Sequence, residues 1–585
     1  MKFLSNVLAV IVGLLVFWVM AFFIIAGIIA ISAADEKVSI DKNTVLVLNL
    51  DGKSIVERTS DDDFDFSMFG GFGGTSTVGL IQLKRAIATA KENENISGIY
   101  LKAGLVNGGQ AMLKELREAL AEFKESDKFV VSYGEIFTEP GYYLSSVADE
   151  IYLNPQGMLE LNGLGAEMVF LKGFFEKIEV EPVVFRVGDF KSAVEPFIME
   201  KMSEESRLQT TAYLNDLNDV MLSAISESRS IPIAELRDIS QHMLAQSTKD
   251  VLNLKLVDGL RYDDEIMALL REKLELSEDD KIETINVTQI NKTGSSKNRL
   301  SKNRIAVVLA DGDIVSGTGE ESIASETFLQ EIRKLKKNKD IKAVVLRINS
   351  PGGSAMASEV IWRELSELKK EKPLIASMSN VAASGGYYIA APADTILAQP
   401  NTITGSIGIF GMWFNAKGLL NNKLGITTDV VKTGEFSDFP SATRGMRPEE
   451  EAIFQRLVED GYETFLSRVT EGRQMSKEEL LPLASGRVWS GVQAQQNGLV
   501  DILGGLEDAI EIAAVKAEVA DDYRVVYYPE QKSFIEKLLS EFSRDVQIAY
   551  SRLKWGMTYE IFQQVEKIKR LEGVMARVPF DAEIR

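Results

Sequence analysis

The chain carries one run of motifs twice. Asn43-Thr-Val-Leu-Val-Leu-Asn-Leu-Asp51-Gly52 returns as Asn303-Arg-Ile-Ala-Val-Val-Leu-Ala-Asp311-Gly312, and Ile96-Ser-Gly-Ile-Tyr-Leu-Lys-Ala103 returns as Ile341-Lys-Ala-Val-Val-Leu-Arg-Ile348. Each of the latter leads to a glycine pair, Gly108-Gly109 and Gly352-Gly353. Farther on, Gly141-Tyr142-Tyr143 with Asp149 answers Gly386-Tyr387-Tyr388 with Asp394, and Leu256-Val257-Asp258 answers Leu499-Val500-Asp501. The offsets run from 243 to 260, and those from Ile96 to Asp149 are 244 or 245. Length alone would divide 585 residues into three or four units of about 150. The repeat requires instead one plan built twice.

Each copy opens with short Val/Ile/Leu-rich runs, such as Ala343–Ile348 and Leu374–Met378, alternating with amphipathic stretches such as Ser358–Lys370. Continuous apolar runs of that length suit strands buried on both faces, and the stretches between them suit helical crossovers in a largely parallel sheet. The later part of each copy reads as helical, over Glu204–Glu227 and Pro448–Glu471. The expected organisation is a first repeat over 40–290, a polar linker over 291–302, a second repeat over 303–520 and a helical tail over 521–585. Asp61–Thr77, with its Asp run and glycines, reads as a loop.

Ahead of the repeats, no charged residue occurs from Phe3 to Ala34. The 25 nearly continuous apolar residues from Val7 to Ile31 would make a helix of about 37 Å, against a hydrocarbon core of about 30 Å. A cleaved signal peptide competes, with Ser32-Ala33-Ala34 as its small residues, but its apolar core would be only about 7–15 residues long. The expectation is an uncleaved transmembrane anchor over 1–34. Lys2 on one side against Lys37 and Lys42 on the other leaves its orientation undecided.

Composition narrows the chemistry. With 65 Lys+Arg against 86 Asp+Glu the net charge is −21, which disfavours nucleic acid as a partner. No cysteine means no thiol nucleophile, thiolate metal site or disulfide, and one histidine excludes any multi-histidine metal centre. Neither a metal nor a cofactor is expected. A Ser-His-Asp triad would have to use His242, which lies in a polar helical stretch and reads as a surface residue.

Ser384 follows a strand-like run and lies within the small-residue stretch Ala382-Ala-Ser384-Gly385-Gly386. There it is either a nucleophile at a helix start or an ordinary N-cap, and Gly352-Gly353 after Ser350-Pro351 is either an oxyanion wall or a tight turn. A base other than histidine is required. Lys191, flanked by Phe190, Ala193, Val194 and Phe197, qualifies if burial brings its pKa down from about 10.4. Asp189 would raise that pKa if it faced the amine, so it should point elsewhere. At offset 245 Ser384 falls on Glu139, and at offset 246 Lys191 falls on Ser437. Each copy has lost the member that the other kept, as division of labour after duplication of a complete Ser/Lys unit would leave.

Gly188-Asp-Phe-Lys191-Ser-Ala-Val-Glu-Pro-Phe197, Ser350-Pro-Gly-Gly353, Ala382-Ala-Ser384-Gly-Gly-Tyr-Tyr388 and Thr404-Gly-Ser406-Ile-Gly-Ile-Phe-Gly411 together resemble the signal peptide peptidase A (protease IV) family, peptidase family S49, in its long duplicated form. The resemblance runs from the anchor to about Ala520. It implies two tandem crotonase/Clp-protease-like α/β domains with helical extensions behind one N-terminal transmembrane helix. It also implies a serine endopeptidase that degrades cleaved signal peptides and other membrane-associated peptides at the lipid bilayer. In that family's pattern Ser384 is the nucleophile, Lys191 the general base and Ser406 the residue that orients the lysine, while the N–H groups of Gly353 and Gly385 form the oxyanion hole. The resemblance further implies a homotetramer in the bacterial inner membrane, with its catalytic body in the periplasm and the dyad shared between neighbouring subunits.

Two other readings have discriminating residues. An acyl-CoA enzyme of crotonase type would use a carboxylate such as Glu139 beside an oxyanion hole. A peptide-binding pseudo-protease scaffold would bind without turnover.

Overall fold

A computed structural model describes residues 39–59, 76–293, 301–319, 322–530 and 573–578, the backbone of 583–584, and seven positions between Val10 and Met20. The expected anchor at 1–34 therefore lies outside the described residues except for those seven, and so do 60–75, 294–300 and 531–572. Among the described residues no helix is long and apolar enough to cross a membrane.

The α/β expectation holds in both copies, and the two sheets share one strand order. In the first, the order is Thr284–Asn286, Thr44–Asn49, Ile96–Lys102, Phe129–Phe137, Glu150–Leu159 and Gly259–Leu260, all parallel to their neighbours. In the second, Arg524–Tyr528, Arg304–Asp311, Ile341–Ser350, Leu374–Ala383, Thr395–Ala398 and Ile502–Leu503 follow the same path, again parallel. Ile403–Gly405 extends Leu374–Ala383 and pairs antiparallel with Val488–Ser490. The helices correspond too: Glu204–Arg229 and Pro448–Arg473 each have 26 residues and end on a left-handed residue, Ser230 and Gln474.

The repeated motifs mark repeated bonds. Tyr142 and Tyr387 are buried, and each hydroxyl donates to a backbone carbonyl, of Leu256 and Leu499 respectively, at 2.8 Å. A buried phenol needs such a partner. Asp149 and Asp394 accept the backbone amides of Val130 and Leu374, at 2.7 and 2.9 Å. Asp258 and Asp501 accept Ile151 and Ile396 and also bind Arg229 and Arg473.

Most of the expected helical tail, 531–572, lies outside the described residues. Among those described, Arg524–Tyr528 closes the second sheet where Thr284–Asn286 closes the first, and Gly573–Arg577 enters a third sheet. The β-branched, aromatic run Val525-Val-Tyr-Tyr528 finds an open edge at Arg304–Asp311, and tertiary pairing decides its state.

The third sheet draws on both copies. Its order is Ile323–Ala324, Ile314–Val315, Gly352–Ser354, Gly573–Arg577, Phe410–Asn415 and Glu181–Arg186. The last strand comes from the first copy and lies antiparallel to Phe410–Asn415, Arg186 facing Phe410. A second tie is ionic. Arg347, fully buried, meets Glu57 at 3.0 Å, Glu115 at 2.7 Å and the hydroxyls of Ser377 and Ser379. Glu115 also faces Lys84 at 3.1 Å, and its two cations hold its carboxyl below the usual range despite burial. At Glu57 burial outweighs Arg347, and with Glu115 nearby it pushes the carboxyl up.

Candidate active site

The strand Leu374–Ala383 runs straight into the short helix Gly385–Ala390, and Ser384 makes the turn between them with φ 54° and ψ −111°. That backbone is strained for a residue with a Cβ, and such strain clusters at functional positions. The turn is tight because Gly386 packs on the Ser350 carbonyl, where a Cβ would fall 2.6 Å from the oxygen. The Ser384 amide donates to Gly405 at 2.8 Å, which fixes the turn against Ile403–Gly405.

Lys191 arrives from the other copy. After Glu181–Arg186, Gly188 turns at φ +94° close to the Ser485 carbonyl, and the Phe190 amide donates to that carbonyl at 3.1 Å. Gly486 lies beneath Lys191, where a Cβ would come within 2.7 Å of both its Cβ and its amide nitrogen. Gln209, on the long helix Glu204–Arg229, clamps the loop: its side-chain amide donates to Phe190 O and Ser192 Oγ, and its oxygen accepts from the Val488 amide at 3.0 Å.

The result is a closed cluster. Lys191 Nζ stands 2.8 Å from Ser384 Oγ and 3.0 Å from both the carbonyl oxygen and Oγ of Ser406. All three residues are fully buried. Burial lowers the Lys191 pKa well below the ordinary lysine range, because an ammonium cannot be solvated there. Asp189 is exposed and points away from the amine, as expected. His242 is exposed at a helix end beside Asp238, 2.9 Å away, and takes no part.

Lys191 meets the Ser384 of its own chain, whereas the family resemblance implies the serine of a neighbour. The physical reason is the pairing of Glu181–Arg186 with Phe410–Asn415, which carries Lys191 across to the second copy of its own chain.

The two glycines assigned to the oxyanion hole lie together. Gly353, in Gly352–Ser354, packs on Ile314, whose carbonyl would be 2.0 Å from an added Cβ. A Cβ on Gly352 would fall 2.8 Å from the Gly385 amide nitrogen, so the two glycine segments are in contact. Gln209 and Gly486 carry no local sequence signal for the site, while Gly188 stands in the same run as Lys191.

The first copy shows what was lost there. Glu139, the counterpart of Ser384, is buried and accepts the amides of Asn162 and Gly163 at 2.7 and 2.6 Å. Asn162 is the counterpart of Ser406 at offset 244. The carboxylate thus ties down the backbone that the lysine bridges in the second copy, and it is not aimed at a substrate as acyl-CoA chemistry would require. Ser437, the counterpart of Lys191, lies exposed in a loop.

Known proteins resemble this chain. The model of peptidase family S49 matches twice, at residues 122–277 and 366–520. Protease 4 of Haemophilus influenzae is 34% identical over 559 residues, covering 90% of this chain and 88% of its own. Protease 4 of Salmonella typhi is 34% identical over 479 residues, 80% of this chain and 76% of its own. The chloroplastic serine protease SPPA of Arabidopsis thaliana is 32% identical over 513 residues, 86% and 75% respectively. Both copies are matched, and the likeness to these relatives extends over most of the chain, so it belongs to peptidase family S49 and is a serine peptidase of the long, duplicated form.

Proposed function

We propose that the protein is a membrane-anchored endopeptidase with a Ser384/Lys191 dyad, which degrades cleaved signal peptides in the bacterial inner membrane with its catalytic body on the periplasmic side. One observation carries this reading: a fully buried lysine amine lies 2.8 Å from the hydroxyl of a serine held in a strained turn.

The chemistry follows from the contacts of Nζ. In the neutral amine, two N–H bonds can go to the carbonyl oxygen and Oγ of Ser406, which leaves the lone pair facing the Ser384 hydroxyl. Lys191 then takes the hydroxyl proton as Oγ attacks a peptide carbonyl, and the amides of Gly353 and Gly385 hold the developing oxyanion. The lysine passes the proton to the leaving amine, and water hydrolyses the acyl-enzyme with the same base.

Apolar peptides suit the surroundings. A cavity of about 640 Å³ beside Ser354 is lined by Ile314, Val315, Met356, Tyr388 and Leu457. The 25-residue apolar stretch from Val7 to Ile31 would hold the body at the bilayer, where cleaved signal peptides lie. Copies assemble as a homotetramer, each carrying a complete dyad.

The test is hydrolysis of a synthetic signal peptide in detergent by the full chain and by Ser384→Ala and Lys191→Ala. Each substitution should cost about a thousandfold or more in kcat while far-UV circular dichroism stays unchanged. Activity near the wild-type level in either variant ends the assignment.

A further inference from the structure

A lysine amine sits at the end of a flexible stem, so the place of Lys191 Nζ depends on what holds the backbone of its loop. Gln209 holds that loop on both sides of the lysine. Buried in the helix Glu204–Arg229, it donates one side-chain N–H to Phe190 O at 3.2 Å and the other to Ser192 Oγ at 2.8 Å. Its Oε1 accepts the Val488 amide at 3.0 Å. The carboxamide can face only this way, because Phe190 O has no proton to give and the Val488 N–H cannot accept one.

From Val488 the tie runs on to the other partner of the amine. Arg487 O accepts the Ser406 amide at 2.7 Å, and the Gly486 amide donates to Ile407 O at 3.0 Å. Ser485 O accepts the Phe190 amide at 3.1 Å. Residues 485–488 thus form one spine with Ser406 on one side and the lysine loop on the other, and Gln209 braces the loop against it. The repeat links this brace to the lysine. At offset 244, which also relates the helix ends Ser230 and Gln474, Gln209 falls on Ile453, in the copy that has lost the lysine. The same helix has another tie to the strand Val488–Ser490, where Ser490 Oγ donates to Asp216 and not to the lysine loop.

We propose that Gln209 is a positioning residue for peptide hydrolysis: its carboxamide fixes the gap between the lysine loop and the spine, and so holds Nζ within reach of Ser384 Oγ and Ser406 at once. The proposal rests on the Ser/Lys reading above. Without the carboxamide the loop keeps its bond from Phe190 to Ser485 but can tilt about it, and water can enter beside the amine. Both effects weaken the base, since the attack geometry is lost and a hydrated ammonium forms more readily than a buried one. The charged groups around the loop stay as they are. Arg487 lies 5.3 Å over the Phe190 ring, Glu195 binds the amide and hydroxyl of Ser203, and Asp189 is exposed.

Steady-state hydrolysis of a synthetic signal peptide by the full chain, followed across pH, tests this beside melting curves. Gln209→Met keeps the length of the side chain without its hydrogen bonds. It should lose about ten- to a hundredfold in kcat with KM little changed, and the acid limb of kcat/KM should move to higher pH. Gln209→Glu keeps the acceptor for the Val488 amide but gives up the donors to the loop. Its kcat should stay low on the alkaline plateau, where an effect of charge alone would vanish, and it decides the matter if the Met variant does not fold. Asp216→Asn, on the same helix, should keep the wild-type kcat and limb. Folded Gln209 variants with wild-type kcat and limb overturn the proposal. So does a rise in KM at constant kcat, or an Asp216→Asn limb shifted as far as that of Gln209→Met. In each of those cases an inactive Lys191→Ala leaves the proposed function standing, whereas an active Lys191→Ala sinks both.

Discussion

At the scale of single residues, Lys191 is kept at a cost to the fold. An unfolded lysine holds its proton up to about pH 10.4, whereas burial depresses the pKa in the folded chain. Between the lowered pKa and about 10.4 the unfolded chain therefore binds the extra proton, and stability rises with pH across that window. At neutral pH the lysine withholds stability that a neutral side chain of similar shape would not. Lys191→Met should be inactive yet melt at or above the wild type at pH 7, with the difference shrinking as pH rises toward 10. Scanning calorimetry at several pH values checks this, and a Met variant that melts several degrees lower would show the amine to be a net structural support. Activity has the same sign, because only the neutral amine accepts a proton: kcat/KM should climb with pH through the lowered lysine pKa. Ser406→Ala removes one of the three contacts at Nζ and should lower kcat by about ten- to a hundredfold, with the circular dichroism spectrum unchanged.

At the scale of elements, the site depends on how closely two loops approach. Gly188 turns at φ +94° with the Ser485 carbonyl 2.3 Å from where a Cβ would lie, and Gly486 leaves room for Lys191 itself. Both neighbours are backbone and cannot swing away. Gly486→Ala should therefore lift the lysine loop from Ser384 and cost at least tenfold in activity, while the sheets hold; peptide hydrolysis beside a melting curve separates the two effects. Much of this site was legible in the sequence. Ser384, Lys191 and Ser406 stand in runs whose small or apolar neighbours betray close packing, and the complementary losses at Glu139 and Ser437 linked them across the repeat. What the sequence hid is long-range. Nothing local says that Glu181–Arg186 pairs with Phe410–Asn415 of its own chain, and the neighbour's serine is what the family resemblance implies. Nor does the short run Gly573–Arg577 show that it will lie between Gly352–Ser354 and Phe410–Asn415, because strand pairing is decided by the partner edge.

At the scale of the whole molecule, the repeat leaves one segment without a seat. In the first copy, residues 172–203 reach over to the second, with Glu181–Arg186 laid along Phe410–Asn415. Their counterpart, 416–447, pairs with no strand among the described residues, although Leu419, Asn422 and Lys423 bond to Glu179. Every residue from 421 to 437 is exposed, and Val431 is 97% so. The counterpart of Phe410–Asn415 at offset 244 is 166–171, where only Ala166–Glu167 forms a strand, paired with Glu583–Ile584. If a second copy lays its residues 427–432 along 166–171, the contact inside one chain is repeated between chains. Such a contact is head-to-tail, so it must close into a ring or run on as a filament, and a closed ring of four accounts for the proposed tetramer. Light scattering in detergent should give four times 64.7 kDa for the wild type, and a single chain for a Val430→Asp, Val431→Asp variant. Because each chain holds its own dyad, that monomer should still hydrolyse peptide. For the same reason, mixing Ser384→Ala with Lys191→Ala chains should restore no activity, since no chain in the mixture carries both residues. Recovery on mixing would mean that lysines reach across to neighbouring serines, and the pairing of Glu181–Arg186 within one chain would have to be abandoned.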